Sequence, residues 1–169
     1  MSCVLVTGIG GNIGLDLARS LKRASHRVVG TDVDPLNLEL GRRVADSVYL
    51  IPRASERGFV EAFNTICERE SVSLAFSNPD VEIQHIVAHR DNLAAPLFLV
   101  EGHLVELFAD KLRTAEFLRS HAKVPMGYAV AGESDLVACV QQLGTPYWLR
   151  AREGVGGAAA FALNTRTMV

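Results

Sequence analysis

The chain has 169 residues, of which 49% are hydrophobic and 21% are charged, and its formal net charge is −2. These values are typical of a soluble globular protein with one domain, or one domain and part of another. No basic run is longer than a pair, which argues against nucleic acid as the main partner. We expect no membrane span, because no apolar stretch is long enough. We also expect no signal peptide, because the start, MSCVLVTG, lacks the charged region and the cleavage site of one. The three widely spaced cysteines predict reduced thiols and a cytoplasmic protein.

The first half of the chain alternates short apolar runs with helical patterns. Apolar runs predict strands at residues 3–7, 27–32, 46–52 and 72–76. Apolar residues at helical spacing predict three helices: one that ends near residue 25, one at residues 55–70 and one at residues 80–92. This alternation predicts an α/β fold, with a Rossmann-like parallel sheet that is covered by helices on both faces.

The pattern changes after Pro96. Residues 97–100 suggest a last edge strand, and helical patterns follow at 102–109, 111–122 and 134–143. Residues 128–130 are β-like, and a strand at 146–151 is expected to form a hairpin with 159–163. We therefore predict a Rossmann-like domain at residues 1–100 and part of a second subdomain at 101–169.

A glycine-rich turn, TGIGGNIG, follows the first predicted strand and opens a helix. Such a turn brings a pyrophosphate close to a helix N-terminus, and Asp32 at the end of the next strand suits a ribose hydroxyl. The turn resembles that of short-chain dehydrogenases and sugar-nucleotide epimerases, although the Tyr-x-x-x-Lys pair of that family is absent. Glycines of this kind also serve merely to pack a helix on a strand. The candidate residues for a substrate site or second nucleotide site are Gly8, Gly10, Gly11 and Asp32.

Acidic residues follow the fourth predicted strand. Asp80 and Glu82 are candidates for contact with a small substrate, because open α/β folds bind ligands at the carboxyl ends of their strands. The alternative is that Asp80 caps the helix and Glu82 is solvated. His85 and His89 lie four residues apart on the same helix, but a solvated helix face explains them and we predict no metal site.

A second glycine-rich segment, YWLRAREGVGGAAA, follows the strand predicted near residue 150. Polyphosphate binding needs cations, together with backbone N–H groups that no side chain shields. Arg150 and Arg152 alternate along the strand, so only one of them can point at a phosphate, and the motif selects Arg150. Lys111, in ADKLRTAEFL, is the second candidate cation, with a surface lysine as the alternative. The glycine candidates are Gly154, Gly156 and Gly157.

Together these segments resemble the N-terminal part of ATP-grasp enzymes, and of the carbamoyl phosphate synthetase large subunit in particular. The segments that carry the resemblance are AFSNPDVEIQHIVAHRDNL, ADKLRTAEFLRSHAKVPMGYAV and WLRAREGVGG. The resemblance implies a pre-ATP-grasp Rossmann-like domain and then a partial ATP-grasp nucleotide-binding subdomain. It also implies an ATP-dependent ligase that activates a carboxylate or bicarbonate as an acyl-phosphate before an amine attacks. Lys111, Arg150 and the three glycines would then contact ATP.

The chain departs from the family pattern at two positions. Ala151 stands where proline is usual and Ala159 where the last glycine of the loop is usual. No Asp or Glu follows Ala160, so the Mg²⁺ ligands are expected outside this chain, which we expect to be inactive alone. A homo-oligomer, or a partner that carries the missing half, is consistent with this. Two alternatives stay open: an NAD(P)-binding Rossmann protein and a non-catalytic interaction module.

Overall fold

The structure, a computed structural model, describes residues 1–154 and 159–164. Contacts divide the chain into two compact units, Met1–Gly102 and His103–Val169. In the first unit strands and helices alternate, and in the second unit helices precede a two-stranded hairpin. Among the described residues, no helix has the length and apolarity that a membrane crossing requires.

The first unit is built on a four-stranded sheet in which every pairing is parallel. Its strand order is β3-β2-β1-β4, so the central β1 is flanked by β2 and β4. The predicted α/β, Rossmann-like fold class is confirmed. The strands are β1 (Cys3–Thr7), β2 (Arg27–Asp32), β3 (Ser47–Leu50) and β4 (Leu74–Phe76), and the helices are α1 (Asn12–Arg23), α2 (Pro35–Gly41), α3 (Phe59–Glu70) and α4 (Asp80–Ala88), followed by a 3₁₀ turn at Arg90–Asn92.

Alternating side chains of the strands fill a core on each face of the sheet. Leu5 and Val29 point to the face that α3 covers, where Phe59 and Phe63 pack against them. Val4 and Val28 point to the opposite face, in the cluster that also holds Ile9 and Ala18 at the α1 side. Because both faces are buried, the strands read as continuous apolar runs in the sequence, as a parallel sheet requires.

A polar network joins the amino ends of the strands to the end of α3. Glu70 is only 9% exposed and is paired with Arg27, which also donates to the carbonyl oxygen of Glu70 at 3.1 Å. The Tyr49 hydroxyl donates to the other carboxylate oxygen of Glu70. No local pattern in the sequence indicates this network, because its members are far apart in the chain and meet only when the strands pair.

The second unit consists of short helices and an antiparallel hairpin. Tyr147 pairs with Leu163 and Arg150 with Ala160 across this hairpin. Its elements are α5 (Gly102–Ala109), α6 (Lys111–Leu118), α7 (Glu133–Leu143), β5 (Tyr147–Arg150) and β6 (Ala160–Leu163).

Three details of the sequence-based prediction are wrong. Residues 128–130 form no strand, since they pair with no neighbouring strand and a strand is stable only when its hydrogen bonds are met. The predicted edge strand at 97–100 is reduced to one isolated bridge, between Ala75 and Leu97. Helix α2 was not predicted, although Asp34 caps it by accepting from Leu36 N at 2.8 Å.

Candidate functional site

The carboxyl ends of β1 and β4 lie side by side and are joined by hydrogen bonds. Asn78 Nδ2 donates to the carbonyl oxygen of Thr7 at 2.8 Å, and Asn78 N donates to Thr7 Oγ1 at 3.2 Å. From β1 the chain runs outward through β2 to β3 and then returns to β4 on the other side of β1. In open parallel sheets such a reversal creates a crevice beyond the strand ends, where ligands bind.

Glu82 and Asp80 follow β4 at this point of the fold, but their environments differ. Glu82 is only 5% exposed and accepts a hydrogen bond from Ser77 Oγ at 2.6 Å. Burial raises the pKa of the Glu82 carboxyl, because its charged form loses hydration. Asp80 is exposed, and Pro79 occupies the cap position of α4. The alternative of a capping Asp80 and a solvated Glu82 is therefore wrong.

The first glycine turn is packed against the chain itself. Gly8 has φ +57°, a left-handed conformation in which a side chain is strained. A Cβ atom on Gly10 would lie 2.3 Å from the carbonyl oxygen of Asn37, so helix α2 occupies the space beside this residue. Gly11 is the cap residue of α1 and has an ordinary extended conformation.

Asp32 is used by the same turn. Its carboxylate accepts from Gly10 N at 3.1 Å and from Asp34 N at 3.0 Å, and its exposed fraction is 5%. A dinucleotide needs a carboxylate that is free for the ribose and an open approach to the second glycine. The geometry offers neither, and it favours a structural role for Gly8, Gly10, Gly11 and Asp32.

Lys111 begins helix α6 and contacts the start of the second glycine-rich segment. Its Nζ donates to the carbonyl oxygen of Gly154 at 2.8 Å and to that of Arg152 at 3.2 Å. Its backbone N–H also donates to the Arg152 carbonyl, at 2.9 Å. The two predicted parts of the phosphate site, the lysine and the first glycine, are thus brought together. Gly156 and Gly157, the remaining predicted glycines, lie outside the described residues.

Arg152 is bound to Asp110, the residue before Lys111. Its Nε donates to Asp110 Oδ1 at 3.2 Å, and its Nη2 donates to Oδ2. The Arg152 guanidinium holds the pKa of the Asp110 carboxyl below its usual range. The same carboxylate caps α6 by accepting from Leu112 N at 3.0 Å. Arg152 is therefore not available as a phosphate ligand.

Arg150 is the last residue of β5 and is exposed. Its backbone pairs with Ala160, but its guanidinium makes no hydrogen bond or ion pair with any side chain or carbonyl group of residues 1–154 and 159–164. Sheet pairing continues just past it, since Ala151 N donates to the carbonyl oxygen of Ala159 at 2.9 Å. Within the described part of the chain, the guanidinium is thus available to bind an anion.

His85 and His89 lie on α4 at the border of an open groove of about 740 Å³ between α3 and α4. Their rings are 4.9 Å apart, and the His85 ring packs edge-on against Phe59 at 6.1 Å. Among the described residues no group of three or more His, Cys, Asp or Glu side chains is placed to hold a metal ion.

The family of the chain follows from its first unit. A family model described as PylC-like, N-terminal domain, matches residues 4–96, which is more than half of the chain. The chain belongs to this family. No curated protein sequence matches it significantly. The matched range covers the parallel sheet of this PylC-like domain except for Cys3, the first residue of β1, and it extends past helix α4. The resemblance to the N-terminal part of ATP-grasp enzymes is confirmed.

Solved structures extend the likeness to the second unit. Biotin carboxylase from Campylobacter jejuni is 18% identical, with a TM-score of 0.67, over 97% of this chain and 39% of its own. The biotin carboxylase domain of Hydrogenobacter thermophilus 2-oxoglutarate carboxylase is 15% identical, with a TM-score of 0.64, over 95% of this chain and 37% of its own chain. Rhizobium etli pyruvate carboxylase is 15% identical, with a TM-score of 0.64, over 99% of this chain and 16% of its own chain. The PylC-like chain thus spans less than two fifths of these relatives, and the likeness shows the fold.

Two residues that shape the second unit were missed at the level of sequence. Asp110 directly precedes the helix that begins with Lys111, and an acidic residue at this position signals a helix cap. That signal was available. The ion pair of Asp110 with Arg152 was not, because 42 positions separate the two residues.

Proposed function

We propose that this PylC-like chain is the N-terminal part of an ATP-dependent carboxylate–amine ligase and contributes to its ATP site. The observation that carries the proposal is the arrangement of cations in the second unit. Lys111 lies against the first residues of the glycine-rich segment, Arg152 is neutralised by Asp110, and the Arg150 guanidinium has no hydrogen-bond or ion-pair partner among the described residues. This arrangement suits a triphosphate. Phosphate oxygens are stronger acceptors than the carbonyl oxygens that Lys111 contacts, and Arg150 offers a second cation.

The structural relatives support this proposal. The Campylobacter jejuni enzyme was solved as a beta-gamma-ATP complex, and the Hydrogenobacter thermophilus domain with MgADP, ADP and bicarbonate. We infer that the parent of this chain uses MgATP in the same way, and that its activated substrate is a carboxylate or bicarbonate, as in carbamoyl phosphate synthetase.

The reaction we propose has two steps. A carboxylate or bicarbonate oxygen attacks the γ-phosphorus of ATP, ADP leaves, and the acyl-phosphate forms. An amine then attacks the acyl carbon, and phosphate leaves. Arg150 and Lys111 would neutralise phosphate oxygens, and Arg150 would bind two of them with its planar fork. Mg²⁺ would supply further charge neutralisation, through ligands that we expect outside this chain.

The carboxyl edge of the sheet is our candidate for contact with the acceptor. Exposed Asp80 would face the ligand directly, whereas Glu82, buried and bound to Ser77, would shape the wall behind it. A carboxylate at this edge suits an ammonium group of a substrate, because opposite charges attract.

Arg150 provides the sharpest test of the ATP site. Arg150→Ala should weaken MgATP binding about 10- to 100-fold, the effect of one lost charged hydrogen-bonding group of about 1.5–3 kcal/mol. Affinity is measured by calorimetry on the whole chain, with inorganic tripolyphosphate as a second ligand.

The matched control is Arg119→Ala, which removes an equally exposed arginine at the end of α6. This variant should bind MgATP like the wild type. A thermal-shift series with MgATP, ADP, NAD and NADP compares the rival functions on the same sample. Equal MgATP affinity of Arg150→Ala and wild type would reject the assignment of Arg150.

A further inference from the structure

Arg152 is held at both its backbone and its side chain by two consecutive residues. Its carbonyl oxygen accepts from Lys111 N at 2.9 Å and from Lys111 Nζ at 3.2 Å. Its guanidinium donates through Nε and Nη2 to the two carboxylate oxygens of Asp110. The peptide at Arg152 therefore cannot move relative to the start of α6 unless several of these hydrogen bonds break together.

The environment of the ion pair is asymmetric. The Asp110 side chain is 9% exposed and the Arg152 side chain 53%. Asp110 is also fixed from behind, because it accepts from Leu112 N at 3.0 Å and Arg113 N at 3.2 Å. The carboxylate is thus a rigid anchor on α6, and Arg152 is the movable partner that binds to it. A two-pronged guanidinium–carboxylate contact fixes orientation as well as distance.

This anchor determines where the Lys111 ammonium lies. A lysine side chain is flexible, and ordering it costs rotamer entropy. Here two carbonyl groups, of Arg152 and Gly154, hold Nζ at one place. A ligand that binds there meets an ammonium whose ordering is already achieved, and such preorganisation increases affinity.

We propose that Arg152 is a positioning residue for phosphate binding, which acts through Lys111 and does not touch the phosphate. The inference rests on the proposed function and adds to it a residue that the glycine motif does not contain. The ion pair with Asp110 fixes the Arg152 peptide, that peptide fixes the Lys111 ammonium, and the fixed ammonium binds phosphate.

The test is a double-variant cycle in the whole chain, with MgATP and inorganic tripolyphosphate as ligands. Arg152→Ala should weaken both ligands about tenfold, and Arg152→Lys should restore part of this loss, because lysine keeps the charge but not the fork. Asp110→Asn should resemble Arg152→Ala, since asparagine can still cap α6 but carries no charge. The control Arg119→Ala should change neither affinity.

The decisive comparison is made in the Lys111→Ala background. If Arg152 acts through Lys111, Arg152→Ala has no further effect once the ammonium is gone. A general structural role predicts the same tenfold loss in both backgrounds, and that result would overturn the proposal. The unfolding midpoint of each variant is recorded, and Arg152→Lys and Asp110→Asn carry the test if Arg152→Ala does not fold.

The outcomes separate the two proposals. Loss of affinity in Arg150→Ala with unchanged affinity in Arg152→Ala and Asp110→Asn rejects the positioning role and keeps the ATP site. A wild-type chain that does not bind tripolyphosphate rejects both, because the proposed phosphate ligands Lys111 and Arg150 lie in this chain. Loss in all three variants, with no added loss in the Lys111→Ala background, supports both.

Discussion

Replacing Gly10 by alanine tests whether the first glycine turn serves the fold or a nucleotide. The new Cβ atom would lie 2.3 Å from the carbonyl oxygen of Asn37 and 2.5 Å from its Cα atom. Non-bonded carbon atoms rest at about 3.5 Å or more, so helix α2 must shift by about 1 Å. Overpacking of this kind costs about 1–3 kcal/mol. The hydrogen bond from Gly10 N to the Asp32 carboxylate would be strained as well.

We therefore expect Gly10→Ala to lower the free energy of unfolding by about 3 kcal/mol, which corresponds to a decrease of roughly 15 °C in the unfolding midpoint for a unit of this size. Thermal and urea unfolding followed by circular dichroism measure this loss. Gly11→Ala is the matched control, because its Cβ atom would contact only the Gly8 carbonyl oxygen, at 3.3 Å, and its backbone is ordinary. Its loss should stay below about 1 kcal/mol.

The same samples distinguish the structural role from dinucleotide binding. NADH fluorescence should not change on titration with the wild-type chain, since Asp32 and the space beside Gly10 are both occupied. Equal stability of Gly10→Ala and Gly11→Ala, together with NADH binding that only Gly10→Ala abolishes, would refute the reasoning.

Three further predictions follow from buried titratable groups. Glu82→Gln should raise the unfolding midpoint at pH 7.5 and not at pH 4, because burial raises the Glu82 pKa and the charged form is the costly one; equal midpoints at pH 7.5 would contradict this. The hydrogen bond from Tyr49 lowers the pKa of Glu70. The charged Glu70 carboxylate therefore stabilises the fold above the usual glutamate pKa, and this stabilisation is lost as the pH falls through the lowered pKa. The thermal unfolding midpoint of Glu70→Gln should accordingly fall less than that of the wild type when the pH is lowered. Burial raises the pKa of the Cys67 thiol to about 12, so a thiol reagent at pH 8 should leave Cys67 unmodified until the chain unfolds, as mass spectrometry of the labelled peptides would show.

The strands and most helices of the first unit could be predicted because their signals are local. A buried parallel strand needs a continuous apolar run, and an amphipathic helix needs apolar residues at helical spacing. Both kinds of pattern are present in the sequence, and so the fold class was correct. Helix α2 was missed because it is only seven residues long, and it is held by contacts with the glycine turn.

The residue types of the candidate site were also predictable, whereas their roles were not. The sequence by itself determined that Lys111, Arg150 and a glycine-rich segment occur in the order that a phosphate site requires. Only the tertiary structure decided that Asp110 neutralises Arg152, whereas the Arg150 side chain has no partner in residues 1–154 and 159–164. It also decided that the Asp32 carboxylate accepts a hydrogen bond from the backbone of the first glycine turn, at Gly10 N. The reason is that ion pairs and shared hydrogen bonds join residues distant in the chain, and no local pattern encodes which of two nearby cations finds a partner.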